Sequence, residues 1–304
     1  MERIVVVGVD TTLGAGVAQG LKMRSDVWGI SSNLAVGGED GRTRYVPRDD
    51  CHRLVYAIEE LEPECVVYAS SLSASSWDMP ACERAWQDEP AVAESLVLAT
   101  RRLRAKLIGL SSDVVFTGPK MFHDEGSPTS SAHPAASAVL AWEQILVAGG
   151  ALVARTHAYG WAPAGCEAGL VERIVEALRT GAPLPVDGQR HATPILAAHL
   201  APLLVRAAEV NLTGVFHLSG AERTSSYRLA GQLASILGRP MTPGREQKQI
   251  LPADGGWLVE TSLDSRRARR ALGMPLPMLS EGLHGLVESE PSGGEIVPPI
   301  QQAA

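Results

Sequence analysis

The segment Ser111–Phe116 contains residue types that could carry out carbonyl chemistry, because it follows an apolar run and presents the hydroxyl of Ser112 at a strand end. An enzyme built in this way needs a nearby proton donor, usually a tyrosine with a lysine one helical turn later. The chain has five tyrosines, and none is followed four residues later by a lysine or an arginine. The sequence therefore predicts a redox-type cleft in which Ser112 lacks its usual acid.

The bulk composition argues against several classes of function. A net charge of -7 opposes general affinity for nucleic acid or for an anionic membrane. No apolar run approaches the roughly 18–20 residues that span a bilayer. The four cysteines are widely spaced, without a CxxC pair or a His/Cys cluster. This spacing predicts reduced thiols, no metal site and a cytoplasmic protein.

Strand-like and helix-like segments alternate along much of the chain, with short connections. Apolar runs typical of buried parallel strands lie at 4–7, 27–30, 45–46, 65–69, 106–110, 151–155 and 214–218. Apolar residues at helical spacing lie at 13–23, 52–62, 91–103, 135–148, 169–180, 194–208, 227–237 and 263–272. This order predicts an α/β fold with a doubly wound parallel (Rossmann) sheet and a smaller mixed α/β substrate lobe.

The pattern becomes irregular after the sixth predicted strand, which indicates where the lobes divide. Residues 1–165 are expected to form a dinucleotide-binding lobe, and 192–220 to return to it. The small substrate lobe would combine 166–191 with 221–290. The last segment, 291–304, is rich in Gly, Pro and Gln and is expected to be a flexible tail.

The turn after the first predicted strand, Gly8-Val9-Asp10-Thr11-Thr12-Leu13-Gly14, has features of a dinucleotide-binding loop. Such a loop uses its first glycine for the turn, its second for close approach to pyrophosphate and its third for helix packing. Thr11 replaces the middle glycine, so its β-carbon should crowd a pyrophosphate, although its hydroxyl could donate to one. We predict cofactor contacts from Gly8, Thr11, Thr12, Leu13 and Gly14, with a plain strand-to-helix turn as the alternative.

Further candidate cofactor contacts follow the next strands. Ser31 and Ser32 stand where an acidic residue would hold the adenosine ribose, so this loop could accept a 2′-phosphate or contact nothing. Asp49 could touch adenine, or the pair Asp49-Asp50 could cap the following helix. Small residues end the fourth strand, where they would let a cofactor lie against the backbone or only relieve crowding. They are Ala69, Ser70 and Ser71.

The order and spacing of motifs from Leu110 to Gly160 resemble the dTDP-4-dehydrorhamnose reductase branch of the extended short-chain dehydrogenases. The matching segments are Ser-Ser-Asp-Val-Val-Phe-Thr-Gly (111–118), Glu125, Pro128, Glu143 and Ala-Arg-Thr-His-Ala-Tyr-Gly (154–160), followed by Pro194, 214–220 and 261–265. The resemblance spans about residues 3 to 288. It implies a Rossmann fold, NADP or NAD as cofactor, and a nucleotide-linked sugar as substrate.

The family pattern is broken where its catalytic pair should stand. The interval from Glu125 to Glu143 places the family's tyrosine at Ala135 and its lysine at Val139, and a small residue of the family is replaced by Trp142. In this family the tyrosine protonates the developing alkoxide, while the lysine lowers the tyrosine pKa and holds the nicotinamide ribose. Alanine and valine can do neither.

Histidines are the remaining candidates for an acid. His133 lies just before the helix and His157 ends a strand that should line the same cleft. A histidine can donate a proton near neutral pH, although both could equally be packing or surface residues. The resemblance also places Arg190 in a polar loop of the substrate lobe, where it could contact a phosphate or be solvated.

These departures predict a catalytically degenerate family member. It would still bind NADP, NAD, a nucleotide or a nucleotide-sugar, and act as a binding or regulatory protein with a protein partner or as a homodimer. The alternative is an active NAD(P)H-dependent reductase of a dTDP-4-keto-6-deoxy sugar, with Ser112 orienting the carbonyl and His133 or His157 as the acid. A third possibility is an interaction scaffold whose cleft binds nothing.

Overall fold

The computed structural model describes residues 2–37, 41–79, 86–186, 188–242 and 259–291. Within them, seven strands form one parallel sheet: β1 (Arg3–Val7), β2 (Asp26–Ser31), β3 (Thr43–Tyr45), β4 (Cys65–Ala69), β5 (Lys106–Ser112), β6 (Leu152–Thr156) and β10 (Gly214–His217). Their order across the sheet is β10-β6-β5-β4-β1-β2-β3. Successive strands are therefore added on one side of β1 from β1 to β3 and on its other side from β4 onward, and doubly wound folds form their ligand crevice at such a switch point.

Helices cover both faces of this sheet, which explains why its central strands are apolar on both sides. One face carries α1 (Thr12–Lys22), α6 (Ala197–Glu209) and α8 (Arg266–Leu272). The other carries α2 (Cys51–Leu61), α3 (Glu89–Leu103) and α4 (Pro134–Ala148). Every side chain of β4 and of β6 is buried between the two layers. The predicted α/β class with a doubly wound parallel sheet is confirmed.

A third apolar cluster forms the smaller, mixed part of the molecule. It contains α5 (Leu170–Thr180), α7 (Ser226–Leu237) and α9 (Leu279–Glu288). Beside these helices, β8 (His191–Ala192) pairs with β11 (Thr224–Ser225) in antiparallel orientation. A further parallel pair, β7 (Ala158–Tyr159) with β9 (Ile195–Leu196), connects this part to the end of β6. These short strands were not among the predicted ones.

Two predicted helices begin three residues later than their apolar spacing suggested. The predicted helix 194–208 starts at Ala197, because Ile195 is extended and pairs with β7. The predicted helix 263–272 starts at Arg266, because the residues before it are tied to the chain near β8. Tertiary pairing in both cases overrides the local pattern.

Some predictions fall outside the part of the chain that the structure describes. The expected tail 291–304 lies there apart from its first residue, and so does Cys82. Among the described residues, none of the helices is both long and apolar enough to cross a bilayer. The proposed division of the chain into lobes stays a prediction.

Candidate functional site

In the glycine loop, residues 8–14, the packing of neighbouring elements requires glycine at two positions. Gly8 has φ of +89°, and a β-carbon there would lie 1.8 Å from the carbonyl oxygen of Ala69. A β-carbon on Gly14 would lie 2.1 Å from the carbonyl oxygen of Gly8. Both distances are far below van der Waals contact, so β1, β4 and α1 can approach one another only with glycine at these two positions.

Thr11 uses its hydroxyl within the loop. It is the N-cap of α1: Oγ1 accepts a hydrogen bond from the Gly14 N–H at 3.0 Å and donates one to the Gly8 carbonyl at 2.8 Å. The hydroxyl proton is therefore engaged, so Thr11 stabilises the start of the helix instead of offering this donor to a pyrophosphate.

A pocket of about 230 Å³ opens beside this loop, at the carboxyl ends of β1, β2 and β4. Its lining includes six of the predicted cofactor contacts: Gly8, Thr11, Ser32, Ala69, Ser70 and Ser71. The other five lie outside the lining. Leu13 is in the core, Ser31 donates to the Asn33 carbonyl, and Asp49 is exposed while Asp50 caps α2. Thr12 and Gly14 belong to α1.

Two acidic groups of the pocket were not predicted as contacts, and neither was Arg48. Asp10, in the glycine loop, reaches across to Ser32 and accepts hydrogen bonds from its N–H at 3.0 Å and its Oγ at 2.6 Å. Glu89, at the start of α3, is fully buried and pairs with Arg48. Neither acid stands at a position for which a sequence motif predicts a cofactor contact, because the role of each depends on loops that meet only after folding.

Tyr68 and Ser71 complete the polar floor of the pocket. The Tyr68 hydroxyl donates to Glu89, and Arg48 Nη2 donates to Ser71 Oγ at 2.8 Å. Burial, and then the charge of Glu89, raise the pKa of Tyr68 well above its usual value. Tyr68 is therefore a neutral hydrogen-bond donor here and not an acid poised for catalysis.

Ser112 is sealed inside the protein. Its hydroxyl donates to the Ala74 carbonyl at 2.6 Å and accepts from the Val114 N–H at 3.1 Å. The side chain is fully buried. The loop after β4 lies directly on the end of β5, since Ser73 also donates to the Leu110 carbonyl. In this geometry the serine holds two loops together and has no hydroxyl proton left for a substrate carbonyl.

Replacing Ser112 with alanine should therefore lower the free energy of unfolding by about 1–2 kcal/mol, because the Ala74 carbonyl and Val114 N–H lose their partner. Nucleotide affinity should not change. Urea denaturation and calorimetric titration measure the two quantities, and Ser137→Ala, exposed on α4, is the matched control. A tenfold or larger loss of affinity in Ser112→Ala would instead place this hydroxyl against a ligand.

The positions of the family's catalytic pair form part of the core. Ala135, Val139 and Trp142 are fully buried on the face of α4 that packs against the sheet. The Trp142 ring lies 5.7 Å from the Tyr68 ring, and Gly109 leaves the space that this indole fills. Apolar packing therefore occupies the place that the resemblance assigns to the acid and its lysine.

His157 is also enclosed. Its Nδ1 lies 2.7 Å from Asp113 Oδ2, and the edge of the Trp77 ring packs against the imidazole with centroids 4.4 Å apart. Asp113 additionally accepts from Ser76 and Thr261. Burial opposes ionisation of Asp113, but the charge and hydrogen bond of His157 prevail and lower the pKa of the carboxyl. The Nε2 atom has no hydrogen-bond partner among the described residues.

His133 is the N-cap of α4. Its Nδ1 accepts a hydrogen bond from the Ala135 N–H at 3.1 Å, so this nitrogen carries no proton. Burial lowers the pKa of His133. Both facts favour the neutral imidazole, which is the wrong form for a general acid near neutral pH.

Arg190 is half-buried just before β8 and is not among the residues that line the pocket beside Gly8. The predicted phosphate contact of Arg190 stays a prediction. Within the described ranges, no group of three or more His, Cys, Asp or Glu side chains could hold a metal ion.

A buried ion pair holds α4 to the sheet beside Ser111, which precedes Ser112 on β5. Arg155 on β6 makes a bidentate contact with Glu143 on α4, with Nε–Oε1 at 2.8 Å and Nη2–Oε2 at 2.6 Å. Ser111 donates to the same carboxylate at 2.5 Å. Both charged side chains are less than one-tenth exposed. Glu143 and Arg155, which both belong to the segments that carry the resemblance, are thus joined in the folded protein.

Comparison with known proteins agrees with this description. The family model for the RmlD substrate binding domain matches residues 1–290. No curated protein sequence matched the chain. Among solved structures, a hypothetical dTDP-4-dehydrorhamnose reductase from Sulfolobus tokodaii superposes with a TM-score of 0.76 at 22% identity, covering 92% of this chain and 98% of that one.

Two further structures match at similar levels. The dTDP-4-dehydrorhamnose reductase of Bacillus anthracis, in complex with NADP, gives a TM-score of 0.78 at 17% identity over 95% of this chain and 99% of that one. The UDP-glucose 4-epimerase of Thermotoga maritima, with UDP-glucose, gives 0.76 at 20% identity over 94% and 97%. These identities establish the shared fold. With the family model matching nearly its whole length, the chain belongs to the RmlD substrate binding domain family.

Proposed function

We propose that this protein binds the nucleoside end of NAD, NADP or a related nucleotide in the cleft beside Gly8 and does not transfer hydride. It would act as a binding or regulatory member of its family. The observation that carries the proposal is the contrast between the two ends of the cleft. The pocket beside Gly8 is open, whereas Ser112 and the side chains at the expected acid positions are buried.

The nucleoside end has the features that a ligand needs. Its volume of about 230 Å³ is just below the roughly 300–1,000 Å³ of pockets for drug-sized ligands, which suits a nucleoside better than a whole dinucleotide. The walls are apolar at Val7, Ile30 and Val46, and polar groups converge from Asp10 and Arg48. Apolar walls with few polar groups are typical of sites that bind a base and a ribose.

At the reacting end, the candidate proton donors are buried. Reduction of a ketone needs a hydride from the nicotinamide and a proton for the developing alkoxide, and an acid typically contributes about 10²–10⁴ in rate. The Ser112 hydroxyl donates its hydrogen bond to the Ala74 carbonyl, and Ala135 has no acidic group. His157 is held by Asp113 behind Trp77. These contacts support a role without turnover.

The names of similar structures support the class of ligand. The Bacillus anthracis reductase was crystallised with NADP and the Thermotoga maritima epimerase with UDP-glucose. A protein that retains this cleft without its acid could report the level of such a nucleotide to a partner protein or a second copy of itself. The proposed function includes this regulatory role.

Calorimetric titration with NAD⁺, NADP⁺ and dTDP tests the binding proposal. At least one should bind, and Ser32→Trp should weaken that binding by roughly tenfold or more because an indole would fill the mouth of the pocket. Ser137→Trp, on the exposed side of α4, is the control and should leave the affinity unchanged. Absence of binding by all three ligands would contradict the proposal and favour an interaction scaffold.

A turnover assay separates the binding role from that of an active reductase. We expect no sustained oxidation of NADH or NADPH when the protein is mixed with a dTDP-4-keto-6-deoxy sugar. Sustained turnover that disappears in His133→Ala or His157→Ala would overturn the proposal, since it would identify a working acid.

A further inference from the structure

We infer that Asp10 makes the cleft selective for a ribose with a free 2′-hydroxyl, so that NAD is bound in preference to NADP. The inference rests on the proposed nucleotide-binding function and adds a specificity to it. It concerns one carboxylate in the glycine loop and the residue that it contacts across the cleft.

The position of Ser32 is the first step. Ser32 is the first residue after β2, and the end of this strand faces the adenosine ribose in a Rossmann fold. A protein that binds NAD normally has an acidic residue there to accept from the 2′-hydroxyl. The sequence has serine, and from the sequence alone this loop could accept a 2′-phosphate.

Asp10 brings the missing carboxylate to this place from another loop. Its Oδ2 accepts hydrogen bonds from both the N–H and the hydroxyl of Ser32, at 3.0 and 2.6 Å. These two groups are the donors that a 2′-phosphate would need from Ser32. Because the carboxylate already uses them, a phosphate could bind there only by displacing Asp10.

The charges of the pocket oppose a phosphate as well. Its lining has three charged side chains, Asp10, Arg48 and Glu89. Arg48 is paired with Glu89, so these two largely cancel and Asp10 leaves the lining with a net negative charge. Like charges brought together at a binding site lower affinity strongly, and a 2′-phosphate adds nearly two of them.

The same carboxylate suits a ribose hydroxyl. Within the described part of the chain, the hydrogen bonds to Asp10 all reach Oδ2. Asp10 lines the pocket, and among the described residues no hydrogen bond reaches its Oδ1, so this oxygen can accept one from a ligand. A hydroxyl that donates to an ionised oxygen forms a stronger hydrogen bond than one that donates to a neutral group.

Calorimetric titration of the full chain with two matched ligand pairs tests the inference. The pairs are NAD⁺ with NADP⁺, and 5′-AMP with adenosine 2′,5′-bisphosphate, and within each pair only the 2′-phosphate differs. For the wild-type protein we expect at least about tenfold tighter binding of the ligand without the phosphate. Asp10→Asn and Asp10→Ser should reduce this preference by about fivefold or more, mainly by improving affinity for the phosphorylated ligand.

Glu94→Gln is the control, because it removes a negative charge from an exposed residue of α3 outside the pocket lining and should leave the preference unchanged. Thermal melting verifies that every variant is folded. An unchanged preference in both Asp10 variants, or a wild-type preference for the phosphorylated ligands, would overturn the inference and leave the proposed function standing. If none of the four ligands binds to the wild-type protein or to the variants, the inference fails, and the proposed function fails with it only if dTDP does not bind either.

Discussion

Replacing Arg155 with methionine should destabilise the protein by about 3–5 kcal/mol, because the change leaves the Glu143 carboxylate buried without its counter-charge. In the native protein the guanidinium meets this carboxylate through two parallel hydrogen bonds, and Ser111 provides a third donor. Arg155 also lies over the Phe116 ring, with 5.2 Å from its Cζ to the ring centroid. Methionine fills part of the volume but supplies neither the charge nor the donors.

Urea denaturation at neutral pH measures this loss. Arg102→Met is the matched control, because Arg102 pairs with Glu59 at the surface, where an ion pair is worth about 0–1 kcal/mol. The double variant Glu143→Leu/Arg155→Met removes both charges and should recover much of the stability lost in Arg155→Met. A loss below about 1 kcal/mol in the single variant would mean that water or a rearranged side chain solvates Glu143.

The ion pair matters for function because of its location. On α4, Glu143 lies one turn after Val139. Arg155 is on β6, two residues before His157, which directly follows this strand. The ion pair therefore ties α4 to β6 next to the positions that the resemblance assigns to the catalytic pair, and the residues at those positions belong to the apolar core. A well-packed core at this place is consistent with the proposed binding role.

The sheet could be predicted from the sequence because its central strands are continuous runs of apolar residues. Runs such as 4–7 and 65–69 are apolar on both faces, and the structure places them in the centre of the sheet. Helix α9 was missed because Gly282 and Gly285 dilute its apolar spacing. A β-carbon on Gly282 would lie 2.3 Å from the Tyr159 hydroxyl oxygen, so tertiary packing and not helix propensity explains this glycine.

The candidate site was predictable only in part. The positions of Gly8 and Gly14 follow from the turn and could be located directly. The contact of Asp10 with Ser32 depends on how far β1 and β2 separate at their ends, which no local pattern records. The sealing of Ser112 depends on the loop after β4, and this loop has no periodic spacing that would reveal where it packs.

A fall in pH should destabilise the protein through His217, which is fully buried on β10. Burial, and then the nearby charge of Arg155, lower the pKa of His217 to about 3. An unfolded histidine titrates near 6.5, so between these two values the unfolded chain binds a proton that the native protein does not. The stabilisation is present above pH 6.5 and is lost as the pH falls toward 3, by about 3 kcal/mol between pH 7 and pH 4.

The surroundings of His217 explain why its ring is difficult to protonate in the native protein. The neutral ring donates from Nδ1 to the His123 carbonyl at 2.9 Å, and its edge packs on Phe116 with centroids 5.5 Å apart. Arg155 lies over the same phenyl ring, so a proton on His217 would place a second positive charge in a closed cluster. Of the acidic groups nearby, Glu125 accepts from the His217 N–H and Asp124 is largely exposed.

Urea denaturation from pH 7 to pH 4 measures the effect as a slope of stability against pH. Other histidines with lowered pKa values, such as His123 and His133, act in the same direction, so the difference between His217→Gln and wild type isolates the contribution of His217. The variant should have the shallower slope, while His284→Gln, at an exposed site, should match wild type. Equal slopes for His217→Gln and wild type would show that the native protein accommodates the protonated ring.

The effects of Arg155→Met and His217→Gln on stability should also be coupled. Because the charge of Arg155 helps to lower the pKa of His217, Arg155→Met should raise that pKa and make the loss of stability below pH 6.5 less steep, although the variant is less stable at pH 7. A double-mutant cycle of Arg155→Met and His217→Gln, measured at pH 7 and at pH 4.5, tests this coupling. An interaction free energy that does not change between the two pH values would assign the low pKa of His217 to burial alone.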